Sequence, residues 1–377
     1  MNHSANPQPN LARYVMIGGF LGAGKTTAIR QLAEALTTRG QQIGLITNDQ
    51  STGLVDTSIL RSHGYTVEEI TGGCFCCRFD SLSAAAENLS KQTRPDVFIA
   101  EPVGSCTDLL ATVSYPLRRI YGDRFRIAPL SVLVDPMRAA RILGLNEGRS
   151  FSPKVVYVYK KQLEEANIIV VNKCDTLDDA NQTQLVKALK NEFPRAEVLC
   201  ISAKNGTGLD AWFQRLDELE CPDNPTMDLD YDLYAEGEAL LGWLNATIHV
   251  QASQGFDGNA LVVRLAASLR DTVRQGGGEI AHLKATLESK DAGGQLSVVS
   301  VVGSTEEPDL RESLLDACSG GSMILNLRAE MDPESLSQIV TQAIEQENAL
   351  GYATLTREHE ERFRPARPTP THRITVS

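Results

Sequence analysis

From Tyr14 to about residue 220, short apolar runs alternate with stretches whose apolar residues recur at helical spacing. The runs Tyr14–Gly18, Gln42–Thr47, Asp96–Glu101, Leu130–Asp135, Ile168–Asn172 and Glu197–Ser202 predict buried strands. Lys25–Arg39, Lys154–Ala166 and Asp178–Asn191 predict helices between them, the first stopped by Gly40. Strands alternating with helices require crossover connections. The fold class expected is therefore α/β, a mostly parallel sheet with helices on both faces. Such sheets bind ligands beyond the carboxyl ends of their strands.

The pattern changes at Cys221-Pro-Asp-Asn-Pro225, whose two prolines mark a linker. Beyond it, Ala239–Gln251 predicts a strand and Asn259–Arg274 a helix, broken by Gly276-Gly277-Gly278. Ile280–Glu288 and Gln295–Val302 predict paired strands joined by an Asp-Ala-Gly-Gly turn. A short helix at Asp309–Cys318, a strand at Met323–Glu330 and a helix at Pro333–Leu350 complete the series. This order suggests a smaller α+β domain, ferredoxin-like in outline. The expected division is a disordered leader at 1–12, a nucleotide-binding domain at 13–220, a linker at 221–229, the α+β domain at 230–356 and a flexible, Pro-rich tail at 357–377.

Composition narrows the class only a little. With 36 Lys and Arg against 48 Asp and Glu, the net charge is −12. That argues against nucleic acid or an anionic membrane as the main partner. Eight cysteines in 377 residues are too few for a disulfide scaffold. No apolar run reaches the length of a membrane span, and Met1–Asn10 has no apolar core of a signal peptide. The expectation is a cytoplasmic protein with reduced thiols.

Gly19-Phe-Leu-Gly-Ala-Gly-Lys25-Thr26 fits the phosphate-binding pattern G-x-x-x-x-G-K-[ST], with a strand leading in and a helix leading out. Glycines at 19, 22 and 24, with Ala23 between, let backbone N–H groups turn inward around phosphate oxygens. The helix starting at Lys25 adds its positive end. Lys25 reaches the β- and γ-phosphates, and the Thr26 hydroxyl is placed to ligate Mg²⁺.

Asn172-Lys173-Cys174-Asp175 ends one predicted strand, and Ser202-Ala203-Lys204 ends the next. A carboxylate at Asp175 can accept hydrogen bonds from the N1–H and exocyclic amine of guanine. Adenine offers the opposite pattern, so the base selected is guanine and the nucleotide GTP. Ser202, Ala203 and Lys204 complete the base pocket. Glu101, at the end of Asp96–Glu101, is a candidate for the Mg²⁺ shell; its bland alternative is a helix-capping or solvent carboxylate. Gly104 is placed to offer its N–H to the γ-phosphate. Asp49 and Asp56 follow the second strand, and either can join the metal.

Gly72-Gly73-Cys74-Phe75-Cys76-Cys77 puts three thiols within four residues, soft ligands for zinc, cobalt or Cu(I). No fourth ligand adjoins them in sequence. Such an open site suits delivery of a metal. Buried small hydrophobes or a redox group are the alternatives. The other cysteines are scattered; Cys106 stands apart because it follows Gly104. The six histidines form no cluster.

The strings GGFLGAGKTT, GGCFCC, EPVG and NKCD, in this order, resemble the CobW/UreG/HypB family of P-loop GTPases, most closely its CobW-like branch, over about residues 13–220. The resemblance implies a GTP-hydrolysing metal chaperone or cofactor-insertion factor, slow without a partner, often a homodimer with GTP bound, serving a metalloprotein client. By matching position, Gly22, Gly24, Lys25, Thr26 and Thr27 would hold phosphates and Mg²⁺. Glu101 and Gly104 would form the second switch, and Asn172, Lys173 and Asp175 would read guanine. Cys74, Cys76 and Cys77 would hold the metal. Three departures stand out. The first switch reads Asn48-Asp49-Gln50-Ser51-Thr52, no His-rich segment is present, and the region after 225 is unlike the branch's usual C-terminal domain. The rival readings are a GTP-dependent assembly or repair factor whose cysteines are structural or redox groups, and an ATP-using small-molecule kinase.

Overall fold

A computed structural model describes residues 11–50, 55–291 and 295–376. Most of the expected leader, Ser51 and Thr52 of the first switch, and Ala292, Gly293 and Gly294 of the expected turn lie outside the described residues.

The first part of the chain runs β1 (Ala12–Gly19), α1 (Lys25–Thr38), β2 (Ile43–Asn48), α2 (Val55–Ser62), β3 (Val67–Ile70), α3 (Phe79–Gln92) and β4 (Val97–Glu101). A wide helical turn at Leu110–Ser114 then leads into α4 (Tyr115–Tyr121). It continues through β5 (Phe125–Ile127), β6 (Ser131–Val134), α5 (Pro136–Ile142), α6 (Pro153–Glu165), β7 (Ile168–Val171), α7 (Asp179–Glu192), β8 (Glu197–Cys200) and α8 (Leu209–Glu218). The strands form one parallel sheet in the order β3-β2-β4-β1-β6-β7-β8, with β5 beside β1.

Both faces of this sheet are buried, which explains why its strands read as continuous apolar runs. On one face Tyr14 and Met16 of β1 and Phe98 of β4 meet Leu82 of α3 and Leu163 of α6. On the other, Val15, Ile17 and Ile99 meet Leu32 of α1 and Trp212 of α8. Trp212 also donates its indole N–H to Ser131 Oγ at 3.0 Å, which fixes α8 against β6. β3 and β5 are absent from the predicted strands. They are only four and three residues long, and polar residues interrupt both.

The second part runs α9 (Tyr231–Ala239), β9 (Leu241–Phe256), α10 (Gly258–Gln275), β10 (Glu279–Ser289), β11 (Leu296–Val301), β12 (Asp309–Glu312), β13 (Cys318–Glu330), α11 (Pro333–Ala349) and β14 (Thr354–Phe363). Its strands form an antiparallel sheet ordered β12-β11-β10-β13-β9-β14. Alternate residues of β9 (Leu244, Ala246, Ile248 and Val250) join Leu265 of α10 and Val340 of α11 in one core. The opposite face of the sheet carries Trp243, Asn245, Lys284 and Arg328 and turns toward the first part. Aspartates cap α10 and α11: Asp257 accepts from Ala260 N, and Asp332 from Glu334 N and Ser335 N.

Two expectations for this region are corrected. Asp309–Cys318 is not a helix. Its first residues pair with β11 as an edge strand, and only Leu314 and Cys318 of the segment turn into the core. Two apolar anchors cannot supply the stripe that a short helix needs. Nor are residues 357–377 a free tail. β14 pairs with β9 along its length, because its backbone groups satisfy the open edge there. The segment after it returns to the first domain: Thr371 N donates to Cys76 O (3.0 Å), Ile374 N to Ala111 O (2.8 Å), and Val376 O accepts from Thr226 N (2.9 Å). Arg373 Nε is 2.7 Å from Asp108 Oδ2. Among the described residues, no helix is long and apolar enough to cross a membrane.

Candidate nucleotide cleft and cysteine site

The loop from Gly19 to Thr26 joins β1 to α1 at the carboxyl edge of the parallel sheet. Gly24 caps α1 in the left-handed region (φ 88°), and a Cβ there would lie 2.4 Å from Asn172 Nδ2. Glycine at 24 therefore meets both a backbone and a space requirement. Gly22 (φ 80°) is equally confined: a Cβ would meet Val302 Cγ1 of the second domain at 2.7 Å.

Lys25 is buried, with Nζ 3.8 Å from Glu101 Oε1. Burial lowers the Lys25 pKa, opposed by Glu101 and Asp56. Thr26 Oγ1 hydrogen-bonds Asp56 and lies 3.4 and 3.3 Å from the two carboxylate oxygens of Glu101. Burial, then the Asp56 charge, pushes Glu101 up to about 7. Asp56 is held low instead. Burial works against its charge, but the Lys284 ammonium and hydrogen bonds from Lys284 and Thr26 outweigh it. Two carboxyls converging on a threonine hydroxyl beside a phosphate loop are a donor set suited to Mg²⁺. Asp49 also lines the cleft, where it pairs with Arg328 of β13 at 3.4 Å.

Asn172 ties the base side to the phosphate side. Its Nδ2 donates to Ala23 O (2.9 Å), and its Oδ1 accepts from Ala203 N (3.0 Å). Lys173 adopts a left-handed backbone (φ 57°) and lays its ammonium on Gly22 O (3.1 Å) and Asp135 Oδ2 (2.7 Å). Ser202 Oγ accepts from Asn205 N and shapes the turn carrying Ala203 and Lys204. Asp175 is exposed, in a short turn just past Lys173. Gly104 packs on the phosphate loop, where a Cβ would fall 2.8 Å from Leu21 Cδ2. Thr27 lines the same cleft, of ≈ 380 Å³.

The far wall of that cleft had no signal in the sequence. His282 and Lys284 of β10, Ser300 of β11 and Arg311 and Glu312 of β12 close it from the second domain. Lys284 Nζ pairs with Asp56 and lies 3.4 Å from Thr26 Oγ1. His282 Nε2 and Ser300 Oγ are 3.1 Å apart, and burial, then the Lys284 charge, keeps this imidazole well below its usual pKa. No spacing rule links residues more than 250 positions apart, and none of the five belongs to a short motif.

The three cysteines sit between β3 and α3. Cys77 N and Arg78 N both donate to Cys74 O (3.0 and 2.9 Å), closing a tight turn. Arg78 Nε donates to Gly72 O (3.1 Å). The Sγ atoms of Cys74, Cys76 and Cys77 lie within 4.8 Å of one another, with Cys74–Cys77 at 3.3 Å and Cys76–Cys77 at 3.6 Å. Cys74 and Cys76 are buried and Cys77 is half-buried. Hydrogen bonds from Cys106, then from Cys76 and Cys77, hold the Cys74 thiol well below its ordinary pKa. Thr369 N of the returning C-terminal segment donates to Cys77 Sγ (3.2 Å).

Asn48 joins the two sites. At the end of β2 it lines the cleft, and its Nδ2 donates to Ile70 O (3.0 Å) at the end of β3 and to Gly73 O (2.7 Å) in the cysteine loop.

A phosphate-loop strand and helix, a base side built on Asn172 and an acidic pair at Thr26 define a P-loop nucleotide-binding domain. Residues 13–199 match the family model described as CobW/HypB/UreG, nucleotide-binding domain, and this domain belongs to that family. The chain is similar to the zinc chaperone CobW of Sinorhizobium sp, 29% identical over 210 residues, covering 51% of this chain and 58% of that protein. It is also similar to the zinc chaperone YeiR of Escherichia coli K12, 29% identical over 168 residues, covering 44% and 47%. The chain thus spans about half the length of the curated relatives it matches. Among solved structures, hydrogenase maturation factor HypB from Archaeoglobus fulgidus aligns over 54% of this chain and 87% of its own at 22% identity, with a TM-score of 0.38.

Proposed function

We propose that this protein is a GTP-dependent metal chaperone whose cargo, zinc or cobalt, is held at Cys74, Cys76 and Cys77 and passed to a metalloprotein client. The observation that carries the reading is Asn48, one side chain that borders the cleft and donates to the end of β3 and to Gly73 O of the cysteine loop. The names of the relatives favour zinc. The phosphate loop cradles the triphosphate through backbone N–H groups, and Lys25 neutralises its β- and γ-oxygens. Thr26, Glu101 and Asp56 are the residues that would hold Mg²⁺, which supplies charge neutralisation at the transferred phosphoryl group. Asp175 reads guanine at the exposed rim, while Asn172 and Lys173 brace the phosphate loop below it.

Gly104 and Asn48 are the two points where a γ-phosphate would be felt. Loss of that phosphate on hydrolysis would release both, loosening the turn that gathers the sulfurs. Hydrolysis without a partner is expected to be slow. The test is Zn²⁺ affinity measured with a non-hydrolysable GTP analogue and with GDP. A difference of about tenfold or more is expected. Equal affinities would sink the gating and favour an assembly factor with structural cysteines.

A further inference from the structure

Strand β10 of the second domain lies along the phosphate loop and is fixed to it at three points. Arg138, on α5, donates to Leu21 O in the loop and to Ile280 O (3.3 Å) and Ala281 O (2.8 Å) of β10. Ala281 O and the Val302 side chain close on Gly22, where an added Cβ would lie 3.2 Å from that oxygen. Lys284 Nζ is 3.4 Å from Thr26 Oγ1 and pairs with Asp56. His282 stands between these contacts. Successive residues of a strand point to opposite faces, so His282 and Lys284 share the face that lines the cleft. The loop beneath them is the γ-phosphate end on the proposed reading. Gly104, one of the two points where that phosphate would be felt, packs on Leu21, whose carbonyl Arg138 holds.

A second observation concerns the ring itself. His282 Nε2 and Ser300 Oγ are 3.1 Å apart, and Ser300 is buried. Among the described residues, Nδ1 has no hydrogen-bond partner. With Nε2–H donating to Ser300 Oγ, the lone pair of the neutral ring is on Nδ1. Burial, then the charges of Lys284, Lys25, Lys173 and Arg138, hold the imidazole well below its ordinary pKa, so at neutral pH it is free to accept a proton.

We propose that His282 takes the proton of the water that attacks the γ-phosphate, and that Ser300 holds the ring in the tautomer that allows it. The proposal rests on the reading of the cleft as a GTP site. The water oxygen bonds to the γ-phosphorus, the bond from that phosphorus to the β–γ bridging oxygen breaks, and its electron pair leaves on GDP. The water proton passes to Nδ1 and from there to solvent. A base held so far below its ordinary pKa pulls weakly on that proton, in keeping with slow hydrolysis. The second domain thus supplies chemistry to a cleft whose phosphate loop belongs to the first.

The test is single-turnover GTP hydrolysis by the full chain, followed alongside calorimetric affinity for a non-hydrolysable GTP analogue. His282→Ala should lower the hydrolysis rate constant about a hundredfold and leave analogue affinity within about twofold. Ser300→Ala should lower the rate constant about tenfold, again without loss of affinity. An unchanged rate constant in His282→Ala would overturn the proposal and leave the GTP-dependent chaperone reading standing. A fall in affinity as large as the fall in rate would make His282 a wall of the binding site only, and overturns the proposal as well. So does phosphate left on Ser300 after the turnover, seen by mass spectrometry, because the serine and not water would then be the acceptor. No GTP bound by the unaltered protein would overturn the nucleotide reading itself.

Discussion

Lys284 of β10 forms an ion pair with Asp56 of α2, so a residue of the antiparallel sheet reaches the metal end of the phosphate cleft. The two are 228 residues apart in sequence. The second domain is thus a wall of the nucleotide site as well as a neighbour. Lys284→Ala removes a cation that faces the triphosphate and leaves Asp56 beside Glu101 without its partner. The expected outcome is a loss of about tenfold in affinity for a non-hydrolysable GTP analogue, near 1.4 kcal/mol, and a smaller loss for GDP. Calorimetric titration of both nucleotides checks it; equal losses would show that Lys284 acts through folding alone.

Asp175 carries the base assignment. Asp175→Asn replaces an acceptor pair with an acceptor and a donor, which matches xanthine in place of guanine. GTP affinity should fall by roughly a hundredfold relative to xanthosine triphosphate. Competition binding between the two nucleotides measures the ratio, and an unchanged ratio would refute the assignment.

Asp135 links pH to the integrity of the cleft. Burial works against its charge, but Lys173 and Arg138 outweigh that and hold its carboxyl below the ordinary value. A depressed carboxyl adds stability above the unfolded-state pKa, about 4, and loses it as pH falls through the folded value. Asp135→Asn keeps the cap on α5 but leaves Lys173 unpaired. It should cost about 2 kcal/mol at pH 7, and the gap from the unaltered protein should narrow as pH falls below the ordinary carboxylate range. Denaturant titrations at a series of pH values test both the size and the direction.

The returning C-terminal segment braces the cysteine turn through Thr369 and Thr371, and the His372 ring stacks edge-on to Phe79, with centroids 4.9 Å apart. Removing residues 364–377 should speed zinc release to a chelator by about tenfold while leaving GTP-analogue affinity within twofold. Stopped-flow release with a colorimetric chelator gives the first number. Unchanged release would make the segment a bystander.

Much of the first domain was legible because its strands are buried on both faces and its motifs are local. Gly19–Thr26, Asn172–Asp175 and Cys74–Cys77 each specify their geometry within a few residues. Other features depend on distant partners. Arg357–Phe363 is charged and reads as tail, yet it forms most of β14 because β9 has an open edge. Asp309–Glu312 becomes β12 for the same reason. Asp49 and Asp56 looked equivalent after β2, and only the positions of Arg328 and Lys284 separate them.

The two hydrogen bonds of Asn48 have a consequence for timing. Linkage between binding sites runs both ways with the same factor. On the proposed reading, whatever GTP adds to the grip on metal, metal adds to the grip on GTP. A protein loaded with cargo would then hold its nucleotide longer than an empty one. Nucleotide residence time becomes a count of metal, and the carrier serves as its own gauge of supply.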